Sequence, residues 1–283
     1  MSRVCALVTH NDPAVTSDAV GKVFELAKAT GVGVWASDDE IARHGLDPAV
    51  LADPSPETGP DVWLCLGGDG TILRGLRAST AWAAPAPAYG INFGEVGFLA
   101  ATDPDDGFEE SVIRALEGDF DILDLPALTS SMSGPMPAFN DLALQRRPGL
   151  RVADIAYLVG GEEVGRVRCD GMVLSTPAGS TGYNLANGGP VVAWGVSGYV
   201  VSFIAPHSLT ARALIVAPDD NVTLVNRSSN EPVDVAVDGR PIGELPPGGQ
   251  LEISYMQAAG RLAQVPGSSF YHRLRQKFGR LAS

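Results

Sequence analysis

The stretch DVWLCLGGDGTILRGLR, residues 61–77, reads as a strand, a turn and a helix. Val62–Leu66 is an unbroken apolar run of the kind that forms a buried strand, and from Thr71 onward Ile72, Leu73 and Leu76 fall on one helical face. Between them, Gly67, Gly68 and Gly70 let the chain take positive φ and expose backbone N–H groups, so a phosphate could approach at the helix N-terminus. Asp69 stands where a phosphate-binding P-loop carries its lysine, and neither a GxxxxGKS/T nor a GxGxxG pattern occurs there. A carboxylate in such a cradle suits chemistry on a hydroxyl or a bound metal. A tight strand-to-helix turn with Asp at a favoured turn position is the structural alternative.

Outward from this stretch, the first part of the chain alternates strand-like and helix-like segments. Val4–Thr9, Val32–Ala36 and Ala88–Phe93 are apolar runs, while 18–29 and 108–116 have helical periodicity. That alternation predicts a parallel sheet covered by helices. Residues 47–60, rich in Pro and acid, read as a connecting loop. After about residue 120 the texture changes to short alternating runs such as 154–159, 164–168, 222–225 and 233–237, separated by turn signals such as GGEE, VDGR and PPGG. One helix candidate, 181–186, interrupts them. The expected fold is an α/β N-terminal domain with a parallel sheet (1–120) plus a β-rich C-terminal domain (121–265). A basic amphipathic segment, 266–283, is expected to pack back on the first domain.

The 283 residues carry a formal net charge of -13, which disfavours broad binding to nucleic acid or to anionic membranes. An anionic substrate must therefore be met by locally placed arginines. Cys5, Cys65 and Cys169 lie far apart without metal-ligand spacing, so neither a disulfide framework nor a zinc site is expected. No apolar run approaches the ~20 residues of a membrane span, and the N-terminus lacks a signal-peptide pattern. The expected compartment is the cytoplasm. His10, His44, His207 and His272 do not cluster and are read as noncatalytic.

Four further motifs sharpen the first: INFGEVGFLA (91–100), FND (139–141), RCDGMVLSTPAGSTGYNLANGGP (168–190) and PHSLTARALIVAP (206–218). Asn140 and Asp141 place an amide beside a carboxylate, suited to vicinal hydroxyls, although an Asn-Asp turn is the structural alternative. Phe98 either stacks on a purine or fills the core. Pro177–Gly179 form a turn after which Ser180 or Thr181 is placed to cap a helix. In this order and spacing, the motifs resemble those of the NAD kinase family, which phosphorylates the adenosine ribose 2′-hydroxyl of NAD. The resemblance runs from Val62 to the C-terminus.

The resemblance implies an active site between the two domains, with Asp69 as the catalytic base and Gly68 and Gly70 in the substrate-binding loop. It places Phe98 on the purine, Asn140 and Asp141 on ribose, and Asp170, Thr181, Gly182, Tyr183, Asn184 and Ala186 against substrate. Arg74, Arg151 and Arg168 match positions facing the dinucleotide, though isolated arginines are often solvated surface. The sequence departs from the family pattern at Asp141 (usually Glu), Gly182 (commonly Ala), Ala186 (commonly Ser) and Arg240 (often Gln). The implied partners are NAD or NADH, with ATP or polyphosphate as donor together with Mg²⁺ or another divalent cation, in a homodimer or homotetramer. Two alternatives stand beside this: a lipid or sugar kinase sharing a GGDG-type loop, and a noncatalytic dinucleotide sensor.

Overall fold

Strand and helix alternate through the first third of the chain: β1 (Val4–Thr9), α1 (Ser17–Thr30), β2 (Gly33–Ala36), α2 (Asp38–His44), β3 (Val62–Leu66), α3 (Asp69–Ser79), β4 (Ala88–Ile91) and α4 (Phe108–Glu117). The structure is a computed structural model that describes residues 3–55, 57–95, 97–134 and 136–279. It divides into two units, Met1–Asp124 with Gly260–Ser283 and Leu125–Ala259.

In the first unit the strands run parallel in the order β2-β1-β3-β4, with Cys5 opposite Val34 on one side and Val62 on the other. Leu262 and Ala263, from late in the chain, extend this sheet by pairing in parallel with Ala88 and Tyr89. Helices cover it because each has one apolar stripe: Val20, Val23 and Ala27 on α1, and Val112, Ala115 and Leu116 on α4, bury against Leu7, Leu64 and Ile91. The strand order reverses between β1 and β3, so the crevice at their carboxyl ends is where an open α/β sheet binds ligands. Helix α2 lies in a stretch left without an element by the sequence reading; Ser37 caps it, accepting the Glu40 N–H at 3.4 Å, and Gly45 ends it at φ 60°.

The second unit is built from β5 (Asp121–Ser130), β6 (Asp141–Arg146), β7 (Ala153–Val159), β8 (Glu162–Cys169), β9 (Gly171–Ser175), one short helical turn α5 (Tyr183–Ala186), β10 (Tyr199–Ile204), β11 (Leu214–Val216), β12 (Val222–Asn226), β13 (Val233–Val237), β14 (Arg240–Leu245) and β15 (Gln250–Gln264). One antiparallel layer has the order β11-β10-β9-β6-β13-β14, and another runs β15-β12-β7-β8. Their apolar faces share one core, in which Leu142, Leu174, Tyr199 and Val235 meet Ile155, Leu224 and Ile253. The alternation of buried Val233, Val235 and Val237 with half-buried Asp234 and Ala236 shows the period of two that gives β13 its core face.

The chain passes between the units on β5 and β15. The last helix, α6 (Phe270–Phe278), belongs to the first unit; Ser269 caps it, accepting the His272 N–H at 3.1 Å. Residues 280–283 of the basic C-terminal segment, and Val96 of the 91–100 motif, lie outside the described residues.

Candidate active site

The strand β3 ends at Leu66 and α3 begins at Asp69, two residues earlier than its apolar periodicity suggested. The glycines of this turn do not use the positive φ open to them: none of Gly67, Gly68 and Gly70 has it, and Gly68 is extended at φ -77° and ψ -172°. Their reason is space. A Cβ on Gly67 would stand 2.3 Å from Thr71 Oγ1, and one on Gly94 would stand 2.9 Å from Gly68 Cα, so two backbones touch there. A Cβ on Gly70 would meet nothing within 4 Å, leaving open room beside the first turn of α3.

Asp69 is half-buried and its carboxylate is fixed by the chain itself. Oδ1 accepts the Leu99 N–H at 2.8 Å and Oδ2 accepts the Phe98 N–H at 3.0 Å. Burial pushes its pKa up, while those two N–H groups and the positive charges of Arg273 and Lys277 pull it down. Arg74, one turn along α3, reaches the end of β1: its guanidinium donates to Thr9 O, Asn11 Oδ1 and, at 3.3 Å, to the buried carboxylate of Glu40. It is thus held at the β1–β3 crevice.

The stacking role expected of Phe98 finds no free ring face in this arrangement. Phe98 is 2% exposed, with the rings of Phe270 and Phe278 at 5.9 and 5.8 Å, so the core alternative describes it.

In the second unit, Asp141 opens β6 directly after Asn140, and their backbone is gripped by a residue that the sequence did not single out. Asp238, in the VDGR turn, adopts φ 45° and accepts the N–H groups of Phe139, Asn140 and Asp141 at 3.2, 2.7 and 3.1 Å. The signal was present as an Asp before Gly239, the residue pair that favours such a turn. The carboxyl of Asp141 is 7% exposed and has its pKa pushed up to about 7, first by burial and then by the negative charge of Asp238. Beside it, Asn140 Oδ1 is buried and has no hydrogen-bond partner among the described residues. Such an orphaned acceptor is expensive unless a ligand donor completes it.

Asp141 lines a cavity of about 480 Å³ together with Tyr183, Gln145, Arg147 and Asp234. Gln145 Nε2 donates to the Tyr183 hydroxyl at 2.7 Å and fixes the ring. The helix expected over 181–186 is a 3₁₀ turn, Gly179–Thr181, followed by the single turn α5, and neither Ser180 nor Thr181 caps it. Ser180 instead bonds Pro177 O at 2.7 Å and receives the Val192 N–H at 2.9 Å; Thr181 Oγ1 bonds Ala178 O at 3.3 Å. Asn184 is fully buried and its amide braces the loop, donating to Ser180 O at 3.0 Å and Pro190 O at 2.9 Å. Its Nδ2 is thus taken up by the loop, while its Oδ1 is buried and has no hydrogen-bond partner among the described residues. Gly182 and Ala186 are exposed, and a Cβ at Gly182 would meet only Gly179 O, at 3.4 Å.

Asp170 pairs with Arg146, accepting from Nε at 2.5 Å and Nη2 at 3.3 Å, which holds its carboxyl below the usual range. Arg151 and Arg168 come together with Arg166 and Arg227, which the sequence reading had not singled out, around a cavity of about 450 Å³. Arg166 spends its charge on Asp154 at 2.5 Å, and Arg227 stands 3.8 Å from Glu163. This is a local basic pocket on an acidic chain, of the sort an anionic ligand requires. Arg240 opens β14 and is exposed.

Residues 12–120 match the ATP-NAD kinase N-terminal domain and residues 139–264 the ATP-NAD kinase C-terminal domain. The NAD kinase of Symbiobacterium thermophilum is 32% identical over 279 residues, covering 96% of this chain and 97% of that one. NAD kinase 2 of Streptomyces coelicolor is 34% identical over 287 residues, covering 98% and 94%. Among solved structures, an NAD kinase from Archaeoglobus fulgidus in complex with ATP superposes with a TM-score of 0.76 at 28% identity, covering 98% of this chain and 97% of that one. A yeast NADH kinase complexed with NADH shares the fold, with a TM-score of 0.83 at 22% identity and coverage of 100% and 89%.

Fold, glycine turn and likeness together define a nucleotide-binding transferase of the kinase class. More narrowly, the chain belongs to the NAD kinase family. It is an enzyme of that family, which sets aside a lipid or sugar kinase.

Proposed function

We propose that this enzyme transfers a phosphoryl group from ATP, or from polyphosphate, to the 2′-hydroxyl of the adenosine ribose of NAD. The observation that carries the acceptor assignment is the Asn140–Asp141 pair. An unpartnered amide oxygen and a buried carboxyl belong to consecutive residues, and a ribose offers two adjacent hydroxyls, each both donor and acceptor. Asn140 accepts from one hydroxyl and Asp141 holds the other. Tyr183, braced by Gln145, lines the cavity that Asp141 also lines, and Arg151 and Arg168 meet the pyrophosphate.

Asp69 orients the 2′-hydroxyl and takes its proton. The 2′-oxygen forms a bond to the γ-phosphorus of ATP as the bond from that phosphorus to the bridging oxygen breaks, and ADP leaves; from polyphosphate, the leaving group is the chain shortened by one phosphate. A carboxylate with an ordinary pKa of ~3.9 is a weak base for an alcohol, so the proton moves late, as the new bond forms. Burial makes Asp69 more basic than an exposed carboxylate, and its two backbone N–H partners keep it aimed. Most of the acceleration comes from positioning. A divalent cation such as Mg²⁺, bound together with the donor, would supply charge neutralisation to the phosphates. Among the described residues no group of three His, Cys, Asp or Glu side chains is placed to hold a metal ion.

ATP is the favoured donor because the Archaeoglobus relative was solved with it. The retained, oriented Asp69 favours a catalyst over a sensor. Cys5, Cys65 and Cys169 are free and buried, which suits a reducing cytoplasm, and a homodimer or homotetramer belongs to the same reading. No helix among the described residues is long and apolar enough to cross a membrane. The direct test incubates the enzyme with NAD or NADH, each with ATP-Mg or polyphosphate, and assays for NADP or NADPH. Product with at least one donor supports the proposal; none with any of the four pairs contradicts it.

A further inference from the structure

Phe98 and Leu99 share one peptide unit, whose carbonyl belongs to Phe98 and whose N–H belongs to Leu99. Arg273 Nη1 donates to that carbonyl at 2.9 Å, and Asp69 Oδ1 accepts from that N–H at 2.8 Å. The two groups of a planar trans peptide point in opposite directions, so guanidinium, peptide and carboxylate form one chain of hydrogen bonds. Each bond in such a chain polarises the next. We propose that Arg273 is a positioning residue for Asp69, acting through the Phe98–Leu99 peptide.

The surroundings of Arg273 are built for this. It is 7% exposed, and its guanidinium also donates to Ala100 O and to Gln264 Oε1. Gln264 Nε2 in turn donates to Leu99 O at 3.0 Å. Three acceptors around one planar fork leave the 98–100 backbone a single orientation, and rotation of the Phe98–Leu99 peptide would break its bonds at both ends. Helix α6 is fastened to the same loop by Phe270 and Phe278 on the Phe98 ring and by Lys277 Nζ, 3.2 Å from Asp103 Oδ2. The charges of Arg273 and Lys277 both favour ionised Asp69 against the burial that opposes it. The C-terminal helix thus acts on the Asp69 carboxylate through the peptide that it holds.

The inference rests on Asp69 as the base of the proposed reaction, and its test separates the two. The full chain is compared as wild type, Arg273→Met, Arg273→Lys, Asp69→Asn and the Asp69→Asn/Arg273→Met double variant. Thermal melts, kcat and both KM values are measured between about pH 5.5 and 9. Arg273→Met is expected to lower kcat at least ~10-fold, with KM for NAD and ATP within ~2-fold, and to move the acid limb of kcat upward by roughly half a pH unit or more. Arg273→Lys keeps the charge but not the fork, so its limb stays near that of wild type while kcat falls to an intermediate value. The double variant should be no slower than Asp69→Asn alone. An unmoved limb in folded Arg273→Met, or a loss that appears in both KM values, overturns the proposal. If Arg273→Met does not fold, Arg273→Lys decides: reduced kcat at unchanged KM supports it, and wild-type kcat overturns it. Normal turnover by Asp69→Asn would instead remove the base reading, whatever Arg273 does.

Discussion

Asp238 accepts the N–H of Asp141 at 3.1 Å and sets its own negative charge beside the Asp141 carboxyl. The same residue that builds the turn proposed to bind ribose therefore also makes ionisation there unfavourable. Asp141 titrates near 7 in the folded enzyme against an ordinary value of 3.8.

The sign of the stability effect follows by linkage. Between about pH 4 and 7 the folded state retains a proton that the unfolded chain has lost, so Asp141's contribution is present at low pH and disappears as pH rises through its folded pKa. Asp141→Asn removes that dependence. Melting curves at pH 5 and pH 8 should show the variant gaining on wild type by several degrees at the higher pH, roughly the effect of a kcal/mol or more on a domain of this size. An offset equal at both pH values would mean that Asp141 does not titrate in this window.

Asp141→Ala should raise KM for NAD and lower kcat, by about 10-fold or more in kcat/KM, because a ribose hydroxyl loses its partner. Asp141→Glu, the commoner residue in the family that the sequence resembles, should stay active. Wild-type kinetics in both variants would take Asp141 off the ribose.

The glycine turn makes two contrasting predictions. Gly94→Ala pushes a Cβ to 2.9 Å from Gly68 Cα, where only backbone can give way, so both thermal stability and turnover should fall. Gly70→Ala meets open space, so it should melt within a few degrees of wild type while raising KM for the donor at least ~5-fold as the methyl intrudes on the phosphates. Unchanged donor KM in Gly70→Ala would move the phosphates away from this turn.

The strand, turn and helix at 61–77 were legible because unbroken apolar runs and 3.6-residue periodicity are local signals. What the glycines do there was not legible, since Gly68 answers to Gly94, far along the chain, and not to its own φ. Asn140 and Asp141 stood out as a polar pair, but their fixation by Asp238 joins residues about a hundred positions apart. Ser180 carries the composition of a helix cap and instead spans a loop to Val192, because the α5 turn is too short to need one. Phe98 was ambiguous for the same reason: its cover comes from α6, at the other end of the chain. Side-chain type gave the chemistry, and tertiary pairing decided which groups were free to use it.

The proposed function stands or falls on phosphoryl transfer to the adenosine 2′-hydroxyl and to no other. NAD and its adenosine 2′-deoxy analogue are compared by calorimetry for binding and by mass spectrometry for product with ATP-Mg. Both ligands are expected to bind measurably, because the remaining ribose and pyrophosphate contacts survive, and NAD alone is expected to yield phosphorylated product. Phosphorylation of the deoxy analogue at a rate comparable to NAD would contradict it.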